Sequence, residues 1–200
     1  IYIVARNIKE LEYVHDQIVK NSCGCTIVPL DLIEKNGIEN LAKQIFIKDK
    51  FIDVLISSAG IIENLSPVES IDLNKLKNIL ELNYISNFRL IKSFHPLLKS
   101  SKSGRLGVIS SVSDKNKNQY WGIYQPIMTA LNELVMTYSL ENVNTNIKAN
   151  IFYPGAVQTK LRAMVMPGEE NGALHLAEDV AVTVVKNILE QDSNGKIINI

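Results

Sequence analysis

The chain lacks nearly everything that staples or anchors a fold from outside. Of its 200 residues only two are cysteine, Cys23 and Cys25, and with one residue between them they cannot close a distant loop. A zinc site would want about four ligands, and the three histidines, His15, His95 and His175, share no motif with them. The expectation is reduced thiols, no metal and a cytoplasmic address. No apolar run approaches the roughly 20 residues of a membrane span, and no signal-peptide pattern is visible. An excess of one charge is also missing: Lys plus Arg and Asp plus Glu number 21 each. With no basic cluster among aromatics, nucleic acid and anionic membrane surfaces are poor partners. Internal repeats, low-complexity stretches and linkers are absent, so residues 1–200 read as one domain.

What the chain has is core: 46% of its residues are hydrophobic, enough to fold without staples. Short β-branched apolar runs predict strands at Ile1–Ala5, Thr26–Leu30, Phe51–Ile56, Arg105–Ser111, Ile147–Tyr153 and Lys196–Ile200. Between them, apolar residues at helical spacing predict helices at Ile8–Lys20, Ile38–Ile47, Tyr124–Leu140 and Glu178–Glu190. Asp72–Leu98 reads as one long helix or two abutting ones. The residues after Gly155, as far as Gly172, read as loop. Strand–helix alternation with solidly apolar strands predicts an α/β fold, a doubly wound parallel sheet covered on both faces.

In such sheets ligands sit outside the carboxyl ends of the strands. The residues there are Arg6, Asp31, Ser57-Ser58-Ala59-Gly60, Ser110-Ser111 and Pro154-Gly155, joined by Tyr124 at the head of a helix. Ser111 and Tyr124 are two hydroxyl donors able to serve one oxygen. Small residues after the third strand let a ligand approach the backbone.

The set resembles the short-chain dehydrogenase/reductase family over nearly the whole chain. Ser111 and Tyr124 match its serine–tyrosine spacing, Asn83 its helix asparagine, and Asp31-Leu32 the pair that faces the adenine. Ser57-Ser58-Ala59-Gly60 is similar to its Asn-Asn-Ala-Gly turn, with both asparagines replaced. Pro154-Gly155-Ala156-Val157-Gln158-Thr159 is similar to its Pro-Gly-x-Val-x-Thr loop.

The resemblance implies a three-layer, Rossmann-like αβα fold and hydride transfer between a nicotinamide cofactor and a small carbonyl or alcohol. It implies that Tyr124 donates a proton to the carbonyl oxygen, Ser111 hydrogen-bonds that oxygen, and Asn83 holds a relay water. Ala59, Gly60, Pro154 and Gly155 would line the cofactor, with Val157 and Thr159 on the nicotinamide carboxamide. Arg6 stands where NAD-dependent relatives place an acid, which favours NADP(H) over NAD(H) through a charge-assisted pair with a 2′-phosphate. A homodimer or homotetramer is implied by analogy.

Two departures stand out. Tyr124-Gln125-Pro126-Ile127-Met128 carries methionine where the family has the lysine that stabilises the tyrosinate. Lys115 and Lys117 lie in the preceding loop as candidate substitutes. This motivates an alternative, a non-catalytic nucleotide-binding sensor or assembly subunit. The chain also opens directly in a strand at Ile1, so a first strand, glycine-rich phosphate loop and helix are expected upstream. Residues 160–176 should lie over the substrate as a lid with an apolar face of Leu161, Met164, Val165 and Met166.

Overall fold

A computed structural model describes residues 1–111, 118–169, 172, 174–190 and 192–200. Six strands form, all paired in parallel: β1 (Tyr2–Ala5), β2 (Thr26–Pro29), β3 (Val54–Ser57), β4 (Arg105–Ile109), β5 (Lys148–Tyr153) and β6 (Ile197–Asn199). They divide into a two-stranded sheet, β1-β2, and a four-stranded sheet in the order β3-β4-β5-β6. The α/β class with parallel sheets is as expected, but the hydrogen-bonded ladder is not continuous from β1 to β3.

Helices α1 (Ile8–Lys20) and α2 (Gly37–Asp49) follow β1 and β2. After β3 come α3 (Leu73–Leu80), a single widened turn over Glu81–Ile85, and α4 (Ser86–Ser100). Then follow α5 (Gln125–Glu141), α6 (Lys160–Val165) and α7 (Ala177–Glu190). Local chemistry sets their starts. The Asn7 side chain accepts from the backbone N–H of Lys9 and Glu10 to cap α1, and Asp72 does the same for Asn74 and Lys75 at α3. Pro126 sits in the first turn of α5, where its missing N–H costs nothing.

Both faces of the four-stranded sheet are covered. On one, Leu106 and Val108 of β4 and Ala149 and Ile151 of β5 pack against Ile127, Met128, Leu131 and Val135 of α5. On the other, Phe152 meets Val180, Val184 and Ile188 of α7. Gly107 allows that approach, because a Cβ there would lie 2.6 Å from Ile188 Cδ1. A further cluster unites the two sheets. Ile38, Ala42 and Ile45 of α2 and Leu90, Phe94 and Leu97 of α4 pack with Tyr2 of β1 and Leu55 of β3. Among the described residues no helix is long and apolar enough to cross a membrane, and no group of three or more His, Cys, Asp or Glu is placed to hold a metal.

Two boundaries differ from expectation for identifiable reasons, and the long helical pattern takes the second of its two expected forms. Residues 51–53 are not ladder: the Ile52 N–H donates to Leu97 O, and Asp53 accepts from the Ser101 hydroxyl, so this stretch belongs to the end of α4. The long helical pattern is interrupted where the Ser86 N–H reaches back five residues to Glu81 O. The segment after Gly155 is not all loop, because the Thr159 hydroxyl accepts from Arg162 N–H and starts α6.

Leu131 is fully enclosed between α5 and the sheet. Leu131→Ala should lower stability by about 2–5 kcal/mol through lost contacts and a residual cavity. Urea unfolding should show a lower midpoint with an unchanged m value.

Candidate active site

Every strand-end residue singled out in the sequence lies at the carboxyl rim of one of the two sheets, because all strands run parallel. The tightest group is on the four-stranded sheet. Ser111 follows β4 and its hydroxyl donates to the Tyr124 phenol oxygen at 2.8 Å. That bond leaves the phenol proton available to another acceptor. Tyr124 immediately precedes α5 and is held there by its N–H, which donates to Trp121 O at 3.0 Å. Burial pushes the Tyr124 phenol above its ordinary value of 10.0, and the Ser111 hydrogen bond opposes that rise.

Met128 lies one turn below Tyr124, buried in the same apolar cluster. Its thioether sulfur is 3.7 Å from Asn83 Nδ2. The position is thus filled by an uncharged side chain. Lys115 and Lys117 fall outside the described residues.

Asn83 sits in the widened turn between α3 and α4. Its Nδ2 donates to Ile61 O at 2.8 Å and its Oδ1 accepts from Ile61 N–H at 2.9 Å. The side chain thereby clamps the chain just past Gly60. At the other end of the same turn the Ser57 hydroxyl donates to Asn87 Oδ1 at 2.6 Å. Ser58, Ala59 and Gly60 are left as an exposed arch between two buried feet. Asn87 was not singled out in the sequence, although it follows Asn83 by one helical turn and so shares its face.

Arg6 and Asp31 end β1 and β2 on the other sheet, and their charged groups are 3.8 Å apart. Asp31 also accepts from Ile33 N–H, closing a local turn. Leu32 packs inward against the α2–α4 cluster. Its loop is fastened by a residue that the sequence reading missed. Arg89 of α4 donates to Leu32 O at 3.1 Å and Glu34 O at 2.8 Å, and forms a two-pronged pair with Glu39 at 2.9 and 2.8 Å. That pair holds the Glu39 carboxyl down at about 2. An arginine in mid-helix gives no signal of this in sequence alone.

The loop after β5 turns at Gly155, whose φ of +68° suits a residue without a Cβ. Pro154 is buried before it. Beyond it, Val157 forms a parallel bridge with His175, so this histidine contributes backbone rather than a ring. Thr159 caps α6. Of the predicted apolar lid face, Leu161 and Val165 pack against the cluster containing Tyr124, while Met164 is half exposed. Arg162 and Glu169 brace the lid by a two-pronged ion pair at 2.6 and 2.7 Å. Across from α6, Trp121 meets the Tyr124 ring edge-on with centroids 6.0 Å apart. Tyr120 beside it is held at a φ of +70°, a conformation that bulky side chains rarely adopt.

Comparison with known proteins agrees with this fold. The family model described as short chain dehydrogenase matches residues 1–170. The chain is similar to dehydrogenase/reductase SDR family member 7B of Mus musculus, 28% identical over 178 residues, covering 86% of this chain and 55% of that protein. It spans about half the length of the curated relatives it matches. A short chain dehydrogenase of Salmonella enterica serovar Typhi shares its fold at a TM-score of 0.92 with 22% identity, covering 99% of this chain and 84% of that one. Another from Shigella flexneri 2a, complexed with NADP, gives 0.91 with 21% identity over 99% and 84%.

The Arg89–Glu39 pair makes an acid-sensitive fastening. Its carboxyl is depressed on folding from 4.5 to about 2, so its contribution is complete above 4.5 and fades as pH falls through about 2. Arg89→Leu should therefore be less stable than the parent at neutral pH, and the gap in urea midpoint should narrow as pH is lowered from 4.5 towards 2.

Proposed function

Because this chain belongs to the short chain dehydrogenase family, we propose that it is an oxidoreductase that reduces a carbonyl compound, or oxidises the corresponding alcohol, with NADP(H). The observation that carries this reading is the 2.8 Å bond between Ser111 and Tyr124 at the strand rim, two hydroxyls on one reaction point.

The residues present fit a dinucleotide. The arch Ser58–Gly60 is exposed and offers backbone with little side-chain bulk. Pro154, Gly155, Val157 and Thr159 line the neighbouring rim, with Ala59 and Gly60 on the arch and Asp31 and Leu32 on the adenine side. The Arg6 guanidinium is largely open to solvent, with only a long contact to Asp31. That is the state expected of a group that receives a 2′-phosphate, and it supports NADP(H) over NAD(H). When bound, the nicotinamide supplies or accepts the hydride.

The chain's own part is proton chemistry and positioning. Tyr124 gives its phenol proton to the carbonyl oxygen, and Ser111 steadies that oxygen as charge develops. Asn83 holds a relay water on this reading: its side chain is fastened to Ile61, and its main-chain carbonyl, which accepts one bond from Asn87, has a second lone pair for the water. Trp121 on one side and Leu161 and Val165 on the other favour an apolar substrate. Half-exposed Phe88 on α4 and exposed Leu140 on α5 support a homodimer or homotetramer.

Met128 favours a second reading, a nucleotide-binding sensor or assembly subunit without turnover, since no cation faces Tyr124 among the described residues. The two readings separate experimentally. NADPH should bind to the full-length protein and be oxidised when aliphatic or aromatic ketones are added. Tyr124→Phe should lower kcat by about 10²-fold or more, and Met128→Lys should raise it. With burial holding the phenol protonated, the reduction rate should persist through the pH range in which an ordinary tyrosine ionises and fall only above it. NADPH binding with no turnover in either the parent or Met128→Lys would establish the sensor reading instead.

A further inference from the structure

The first asparagine of the family's Asn-Asn-Ala-Gly turn is Ser57 here. Taken alone, a shortened side chain at the foot of a cofactor arch reads as a lost contact. The structure gives it a partner. Ser57 is 6% exposed and its hydroxyl donates to Asn87 Oδ1 at 2.6 Å. Asn87 is 2% exposed, and its Nδ2 donates in turn to the Asn83 main-chain carbonyl at 2.8 Å. Asn83, 1% exposed, then bonds both backbone groups of Ile61. The two feet of the exposed arch are therefore joined to each other through one helical turn.

Asn87 follows directly on the widened turn, in which the Ser86 N–H bonds Glu81 O. Leu82 O is taken by the Ser86 hydroxyl and Asn83 O by the Asn87 amide. An apolar residue at 87 would leave the Ser57 hydroxyl without its acceptor and the Asn83 carbonyl without this donor.

We propose that Asn87 is a positioning residue for the dinucleotide, an amide on the helix that works with Ser57 in place of an amide on the strand. Asn87 does not touch the ligand. It fixes Ser57 and Asn83, and these set the Ser58–Gly60 arch on which the cofactor lies. The inference rests on the NADP(H) reading above.

The test is equilibrium binding of NADPH to the full-length protein by fluorescence, with thermal unfolding of the ligand-free protein in parallel. Asn87→Ala should weaken NADPH binding about tenfold, the scale of one buried hydrogen bond lost. Ser57→Asn added to Asn87→Ala should recover most of that loss by returning an amide to the strand. A general packing defect would not be repaired by that second change. Should Asn87→Ala fail to fold, Ser57→Ala removes the same bond from its other end and should weaken binding in the same direction. Parent-like NADPH affinity in Asn87→Ala, or in Ser57→Ala where that variant stands in, overturns the proposal, as does a double variant no better than Asn87→Ala. A parent protein that binds no NADPH at all overturns the cofactor reading itself, a result distinct from normal binding in every variant.

Discussion

The site depends on one irregular turn of helix. Over Glu81–Ile85 the backbone widens, and a widened turn rotates everything beyond it relative to an unbroken helix. That rotation presents Asn83, Ser86 and Asn87 to the interior together, each 2% exposed or less. Buried amides and hydroxyls are costly unless paired, about 1–3 kcal/mol for each group left unmet. All three are paired here, with Ile61, Leu82, Asn83 and Ser57.

The same helix holds the molecule's two sheets to a common layer. α4 places Leu90, Phe94 and Leu97 against residues of both β1 and β3, although no ladder joins those strands. Arg89, on the same helix, fixes the loop after β2 through two carbonyls and Glu39. Thus Arg6 and Asp31 on one sheet and Ser111 and Tyr124 on the other are related through α4 rather than through a continuous sheet. Apolar packing supplies the cohesion, and directional bonds to buried groups supply the register.

Much of this was legible in the sequence because it rests on local rules. Parallel strands read as solid apolar runs, and their carboxyl ends are where residues such as Ser111 and Gly155 gather. The helix starts at Asn7, Asp72 and Pro126 follow from capping chemistry. What escaped reading depends on partners distant in sequence. Asn87 is an ordinary helix residue until Ser57 lies against it, 30 residues earlier in the chain. Arg89 reads as a surface cation until it meets carbonyls 57 and 55 residues away. Whether Asp72–Leu98 is one helix or two stayed open in the sequence, because the interruption carries no proline or glycine. Residues 51–53 have strand composition, yet they are claimed by the end of α4.

The two departures from the family pattern then have different physical weight. Ser57 loses an amide, but Asn87 meets its hydroxyl and no buried group at that foot is left unpaired. Met128 loses a cation, and the space is filled by a thioether in an apolar cluster, which answers the packing but not the charge. Dispersion and burial are restored by any side chain of suitable volume, whereas stabilising a phenolate needs a positive charge or a donor within a few ångströms. Ser111 is such a donor, though a neutral one, and burial opposes it with the larger effect. The arch after β3 is therefore held by paired buried groups, while the phenol of Tyr124 is tilted towards its neutral form. That form is the one that donates to a carbonyl oxygen, and the reverse reaction needs the phenolate that this environment disfavours. On the oxidoreductase reading proposed above, burial without a facing cation therefore favours the proton-donating form, and with it reduction over oxidation.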